Sequence, residues 1–511
     1  MSLPLARFDD LYVISDLHLG GPPDFQIFKQ GRRLGSLLRR LARERPEREV
    51  ALLLNGDLID SLAEPICGYI AVENAEAMME RIYADPAFRP VWEGLAEFVQ
   101  TPRRYLVVGL GNHDIELAVP HVELSIRRRL GGADPAAQGR MLFATRGAGF
   151  TCLVGQARVF CTHGNEVDGW NVVDHEALRR LAERLNAGLG FDPDDWKPNA
   201  GTRFVVDVMN PIKRRNPFID LLKPEANSVF AVLLTIDPAA VKAARDGLPV
   251  VTDRIRGELI KRGLLADQAT DLEAAPAEAA AALVAEELLG ANLREAVGPM
   301  PMRTDADALL VEIEEEVRQG RSASEAASGR ALEGELGWWD MIADRLRGVP
   351  KEEALRRALL DWVKDDRGFD IRTRDQTFRE IVARLGPAVD FVVTGHTHLE
   401  RAIEIEPGGR RYYYNSGTWV RLLRLSEELV SDPEVFAPVY QALRAGSMAA
   451  LDAAVVPAPG GGATPLLLDR TTVVGISAEN GATVGRLFHA VDDASGEAAL
   501  EVVPGSEFRR G

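Results

Sequence analysis

Tyr105-Leu106-Val107-Val108 leads through Gly109 and Leu110 into Gly111-Asn112-His113-Asp114, a short apolar run that stops at side chains able to bind metals or carry protons. The same figure recurs four times. Leu11-Tyr12-Val13-Ile14-Ser15 leads into Asp16-Leu17-His18, and Val50-Ala51-Leu52-Leu53-Leu54 into Asn55-Gly56-Asp57. Arg158-Val159-Phe160-Cys161-Thr162 leads into His163-Gly164, and Phe391-Val392-Val393-Thr394 into Gly395-His396-Thr397-His398. Near-continuous apolar runs of this length, rich in Val, Leu and Ile, read as strands buried on both faces. Helical patterns, for example residues 34–43 and 75–83, fall between the first three, so strand and helix alternate and the fold class is α/β. In such sheets ligands gather beyond the carboxyl ends of the strands, which is where all five polar clusters fall.

Beyond His163 the rhythm breaks, and the next cluster begins only at Gly395. Residues 165–216 are polar and aromatic, with Trp170, Trp196 and Phe204, and residues 237–367 carry Ala, Leu and Glu at helical spacing. The expected organisation is a core in two parts, residues 1–165 and 386–425. A mostly helical insertion spans 166–385, and a C-terminal extension spans 426–511. The insertion leaves and re-enters beside His163 and His396, which suits a cap over the site or an oligomerisation element. In the extension, residues 471–503 read as a few antiparallel strands, with turns at Glu479-Asn480-Gly481 and Asp493-Ala494-Ser495-Gly496.

Composition bounds the function. The 511 residues are 46% hydrophobic and 27% charged, ordinary values for a chain with sizeable cores. No run approaches the roughly 20 apolar residues of a membrane span, and residues 1–10 lack the basic-then-apolar pattern of a secretory signal. Three cysteines, Cys67, Cys152 and Cys161, stand in no metal spacing, so a reducing cytoplasm is the expected compartment. A formal net charge of −17 works against long-range attraction to nucleic acid.

Hydrolysis of a phosphate ester needs a water that loses its proton near neutral pH. Two metals roughly 3.5–4 Å apart supply it as a bridging hydroxide and clamp the phosphoryl oxygens. Such a site needs a bridging carboxylate and several His, Asp or Asn ligands held on rigid strand ends. The sequence offers Asp16, His18, Asp57, Asn112, His163, His396 and His398. This oxygen and nitrogen set without thiolate suits Mn, with Fe, Zn and Co as alternatives.

Asp-x-His, Gly-Asp, Gly-Asn-His-Asp, His-Gly and Gly-His-x-His, in that order at strand ends, resemble the signature of the calcineurin-like metallophosphoesterases. The resemblance covers about residues 8–165 and 385–422. It implies a layered α/β/β/α sandwich and two divalent transition-metal ions per chain. By it, Asp16, His18, Asp57 and His398 would hold one metal, and Asp57, Asn112, His163 and His396 the other. His113 would be general acid, with Asp114 orienting its ring, and Asn415-Ser416-Gly417-Thr418 matches the family's Asn-x-Gly-Ser/Thr turn. The wording of the motifs looks most like the branch of the UDP-2,3-diacylglucosamine pyrophosphatases and related phosphodiesterases. In that branch Asp commonly follows His-Gly, whereas Asn165 stands here, with Asp168 further on.

The expected activity is hydrolysis of a phosphodiester or pyrophosphate in a small molecule. DNA exonuclease and phosphomonoesterase activities are the enzymatic alternatives, and a non-catalytic scaffold is the alternative of another class. Arg203, Lys213, Arg214 and Arg215 are candidates for contacts to a substrate anion. His121, His175 and His489 fit no motif and read as ordinary core or surface residues.

Overall fold

The computed structural model describes residues 5–65, 68–192, 196–223, 232, 235–236, 349–363, 367–457 and 462–511. The chain falls into two compact units. The first is Met1–Val206, Arg367–Arg421 and Asp469–Gly511, and the second is Asp207–Asp366 and Leu422–Leu468.

The strands of the first unit are β1 (Ala6–Phe8), β2 (Asp10–Ile14), β3 (Val50–Leu54), β4 (Arg104–Gly109), β5 (Met141–Ala144), β6 (Phe150–Val154) and β7 (Ala157–Cys161). They continue as β8 (Phe391–Thr394), β9 (Arg401–Glu404), β10 (Tyr412–Asn415), β11 (Thr472–Glu479), β12 (Ala482–Asp492), β13 (Ala498–Val502) and β14 (Phe508–Arg510). One sheet runs β13-β12-β11-β2-β3-β4-β5, with β14 also on β12, and the other runs β1-β6-β7-β8-β10-β9. Strands β2 to β5 are parallel, as are β7, β8 and β10, so their carboxyl ends share an edge within each sheet.

Alternation along the strands explains why two sheets stack. Leu11, Val13, Ala51, Leu53 and Val107 from the first sheet meet Val159, Cys161, Phe391, Val393 and Tyr414 from the second in a shared core. Their neighbours Tyr12, Ile14, Leu52, Leu54, Leu106 and Val108 face the other way, into a helical layer. That layer includes α1 (Gly31–Arg43), α2 (Ala75–Ala84), α3 (Arg89–Gln100), α4 (Pro120–Gly131), the short α5 (Pro135–Gly139) and α6 (His175–Asn186). Helix α1 buries Leu34, Leu37, Leu38 and Leu41 at helical spacing. It crosses α3 closely at Gly35 and Gly94, since a Cβ on Gly94 would lie 2.9 Å from the Gly35 carbonyl oxygen. On the outer face of the second sheet, Phe378 and Ile381 of helix Gln376–Ala383 cover Val392, Ile403 and Tyr413. This is the expected α/β/β/α sandwich.

Two segments join the core that the sequence reading placed outside it. Residues 166–206 and 367–385 belong to the first unit. The physical reason is plain in α6, whose Ala177, Leu178 and Leu181 enter the same core as Leu117 and Val173. The strands of the C-terminal segment form with the expected turns, but they are no appendage. Val474 pairs with Val13 and Ile476 with Leu11, so β11 covers the edge of β2 that would otherwise offer unpaired backbone groups.

In the second unit, Leu423 and Arg424 pair in parallel with Leu222 and Lys223, and helix Pro433–Ala445 buries Phe436, Val439 and Leu443. The helical stretch expected at 237–367 lies mostly outside the described residues. Cys67 also lies outside them, while Cys152 and Cys161 are buried free thiols. No described helix is long and apolar enough to cross a membrane.

Arg104, at the start of β4, is fully buried and donates to the carbonyls of Leu41, Ala42, Glu44 and Arg48. It closes the C-terminal end of α1, whose last carbonyls have no intrahelical partner. Arg104→Met should therefore cost about 2–3 kcal/mol, the worth of hydrogen bonds to a charged group. A denaturant melt followed by circular dichroism would measure it, and an unchanged midpoint would contradict this role.

Candidate metal centre

The five polar clusters converge. Asp16, His18 and His398 place ligand atoms within 4.8 Å of one another, as do Asp57, His163 and His396, and His18, Asp57 and His113 form a third such group. Loop-to-loop hydrogen bonds set the convergence. The amides of Leu17 and His18 donate to the Asp57 carbonyl at 2.9 and 3.0 Å, the Gly395 amide to the His163 carbonyl at 2.7 Å, and the Asn55 side chain to the Thr162 carbonyl at 2.8 Å.

The backbone is strained where these residues sit. Asp16, His18, Asp57, His396 and His398 all have left-handed φ, between 49° and 70°. For residues with a Cβ this conformation costs about 1–2 kcal/mol each. Such outliers persist where surrounding structure over-determines them, and they concentrate at functional sites. The strain turns side chains inward that an ordinary strand end would splay apart. Adjacent glycines leave the room. A Cβ on Gly111 would lie 2.1 Å from Asp57 Oδ1, and one on Gly395 would lie 2.7 Å from Asp16 Oδ2.

Asp57 is at the centre. Its Oδ1 accepts the His113 amide at 2.9 Å. Its Oδ2 lies 3.7 Å from His18 Nε2 and 3.2 Å from His163 Nε2, two rings that share none of these groups. Burial works against its charge, yet the rings of His163, His113 and His18 hold its carboxyl well below the usual range. Burial also disfavours a charged His163, but Asp57, Asp16 and Glu166 push that ring up to about 10. At His18 burial, joined by the neighbouring His113 and His398, outweighs Asp57 and Asp60 and pulls the ring down to about 4, which favours the neutral form with a lone pair.

The donor set fits a divalent cation on two observations. Asn112 is buried, and its Oδ1 has no hydrogen-bond partner although its amide nitrogen donates to Asn171 Oδ1 at 3.3 Å. His163 Nδ1 lies 2.8 Å from the Asn55 carbonyl, which can only accept, so Nδ1 bears the proton. The lone pair of Nε2 is thereby turned toward the Asp57 carboxylate, an arrangement that a shared cation, or a second proton, makes favourable.

The turn at 415–418 buttresses the loops. Asn415 Nδ2 donates to the Gly395 carbonyl and to Thr397 Oγ1. Ser416 Oγ lies 2.7 Å from Ser15 Oγ, and Ser15 in turn donates to Asp16. Thr418 Oγ1 donates to the Asp16 carbonyl.

One expected role changes hands. Asp114 does not take the His113 ring. Its two oxygens accept from the amides of Gly111 and Leu58, both at 2.7 Å, and tie the β4 loop to the β3 loop. Burial and the nearby Asp57 push it up to about 8. Asp60 is the residue at the ring, with Oδ1 3.1 Å from His113 Nδ1. Asp60 stands three residues after the Gly56-Asp57 pair, but spacing alone could not choose between two acids when a turn decides which faces the imidazole.

Of the four basic candidates, only Arg203 lies in the first unit, half-buried in the short helix Ala200–Phe204. Lys213, Arg214 and Arg215 lie in the second, where Lys213 is buried against Asp220. Trp170 and Trp196 are buried in the first unit. His121 lies by the Val72 carbonyl, His489 by Glu400, and His175 is held below its usual pKa by burial. None of these three joins a metal-type group among the described residues.

Residues 10–226 match the calcineurin-like phosphoesterase family. The chain thus carries a calcineurin-like phosphoesterase domain, which makes it a metal-dependent phosphoester hydrolase. The match spans Asp16 to His163, whereas His396 and His398 lie beyond it and reach the site through β8. No curated protein matches the chain.

Gly111→Ala tests the packing against Asp57. The added methyl must displace the carboxylate, and misplacement of this size costs on the order of 10²-fold in activity. Because the methyl would also lie 2.6 Å from the Asp57 amide nitrogen, the loop must shift with it, so the variant should lose some thermal stability and bind cations more weakly by calorimetry. Unchanged binding and activity would show that the close contact relaxes without consequence.

Proposed function

We propose that the first unit hydrolyses a phosphodiester or pyrophosphate bond in a small molecule, with two divalent transition-metal ions, Mn by preference, and His113 as general acid. One observation carries the reading: a single buried oxygen, Asp57 Oδ2, lies 3.7 Å from His18 Nε2, of the group with Asp16 and His398, and 3.2 Å from His163 Nε2, of the group with His396. In this assignment Asp16, His18, Asp57 and His398 hold one cation, and Asp57, Asn112, His163 and His396 the other. Two such ions, when bound, acidify water and neutralise phosphoryl charge.

The remaining roles belong to side chains. His113 is 20% exposed where His163 is 0%, so it stands toward the open side of the site. Asp60 accepts from its Nδ1, which stabilises the imidazolium and aims Nε2–H at the leaving oxygen. The His113 amide on Asp57 Oδ1 holds that proton donor in register with the cations. Arg203 is the basic residue proposed to meet a substrate anion. The net charge of −17 favours a small substrate over a DNA strand, the exonuclease alternative.

Loaded with Mn, the chain should hold about two ions by elemental analysis. Asp57→Asn should lose more metal and more activity than any other ligand variant, because it alone serves both ions. A saturated stoichiometry of one would sink the two-ion assignment.

His113→Ala should keep both ions and lose roughly 10²–10⁴ in kcat on esters with poor leaving groups. The loss should shrink on bis-p-nitrophenyl phosphate, whose leaving group needs no proton. Asp60→Ala should show the same dependence at smaller size. Equal losses on both kinds of ester would exclude the general-acid role.

A further inference from the structure

Asp168 and Asn171 lie where no motif assigns a role, in the loop that follows His163. Asp168 Oδ2 accepts from His396 Nε2 at 2.9 Å and from Asn171 Nδ2 at 2.7 Å. Asn171 Oδ1 in turn accepts from Asn112 Nδ2 at 3.3 Å. Two side chains thus bridge His396, at the end of β8, to Asn112, after β4, across the two sheets. Both bridged residues are assigned to the same cation, and neither is assigned to the other.

We infer that Asp168 and Asn171 are positioning residues that orient His396 and Asn112 toward the second cation; this rests on the two-ion reading above. A carboxylate at Nε2 fixes the imidazole tautomer and leaves Nδ1 of His396 as the nitrogen with a lone pair. The Asn112 amide has two ends. With Nδ2 given to Asn171, its Oδ1 is turned away, buried and without a hydrogen-bond partner. The bridge thereby selects the ligand atom of both residues.

The loop is built to hold this pair. Asp168 Oδ1 accepts the Trp170 amide, the Asn171 amide donates to the Asp168 carbonyl, and Asn165 Nδ2 donates to the Asn171 carbonyl. The Trp170 carbonyl accepts the Gly201 amide. Gly201 supplies the space, since a Cβ there would lie 2.0 Å from Asn171 Oδ1. Asn165, which stands where the resembling branch has Asp, holds this loop through its side-chain amide.

Removing such outer partners typically weakens a metal roughly 10–100-fold. The test titrates the full chain with Mn by calorimetry, and follows spin coupling between the two ions by electron paramagnetic resonance. Asp168→Ala and Asn171→Ala should each weaken one ion by that factor, leave the other unchanged and reduce the coupled signal. Asp168→Asn still accepts from His396 and should recover part of the affinity. Retention of the first ion shows that each variant is folded. Suppose the unaltered chain binds two ions and Asn112→Ala weakens one, yet the Asp168 and Asn171 variants weaken neither or both equally; this inference then falls and the two-ion reading stands. If the unaltered chain binds fewer than two ions, the two-ion reading fails, and this inference with it.

Discussion

A carboxylate with 1% of its surface exposed must find its compensation inside the protein, and Asp57 is that carboxylate. The imidazoles of His18, His113 and His163 stand around it, and the His113 amide takes one of its oxygens. Positive charge at this point is what a buried anion demands, and imidazoles with lone pairs are what divalent cations demand. The same geometry meets both conditions. The sandwich, the strained loop backbones and the glycines at 111 and 395 can all be understood as the means of bringing those rings to one carboxylate.

The strain has a visible counterweight. Five residues in left-handed conformation would relax outward if their loops were free. Asn415, Ser416 and Thr418 grip two of the loops from behind, through Gly395, Thr397, Ser15 and Asp16. Asp114 grips two others through Gly111 and Leu58. These contacts involve no proposed ligand side chain apart from Asp16, reached through Ser15. They act on backbone or on outer hydroxyls, so the cost of holding the site is spread over the fold and not concentrated in the ligands.

The edges of the core contribute as well. Strand β11 pairs with β2, the strand that leads into Asp16 and His18, and so stabilises the position of those residues from a point more than 450 residues later in the chain. The segment after His163 likewise sends α6 into the helical layer. Catalytic apparatus and scaffold share these segments, which explains why the core is larger than its motifs.

Local pattern determined a great deal. Strands β2, β3, β4 and β8 announced themselves by near-continuous apolar runs, because a strand covered on both faces leaves little room for polar alternation; β7 reads the same way, although its Arg158 and Phe160 are only half-buried. Each such strand ended in its polar cluster, so the ligand-type residues Asp16, His18, Asp57, Asn112, His163, His396 and His398 were legible one block at a time, as was His113. The pairing of side chains was not legible. Whether Asp60 or Asp114 faces His113, and whether Asp168 reaches His396, depends on the path of turns only a few residues long, and a shift of one residue there redirects a side chain entirely. The partition of the chain was equally hidden. An apolar stripe such as Ala177, Leu178 and Leu181 says that a helix is covered but not by what, and the alternation of residues 472–479 says strand but not which strand lies beside it. Only the tertiary structure decides those questions, because they turn on contacts between residues far apart in the chain, and no local period records them.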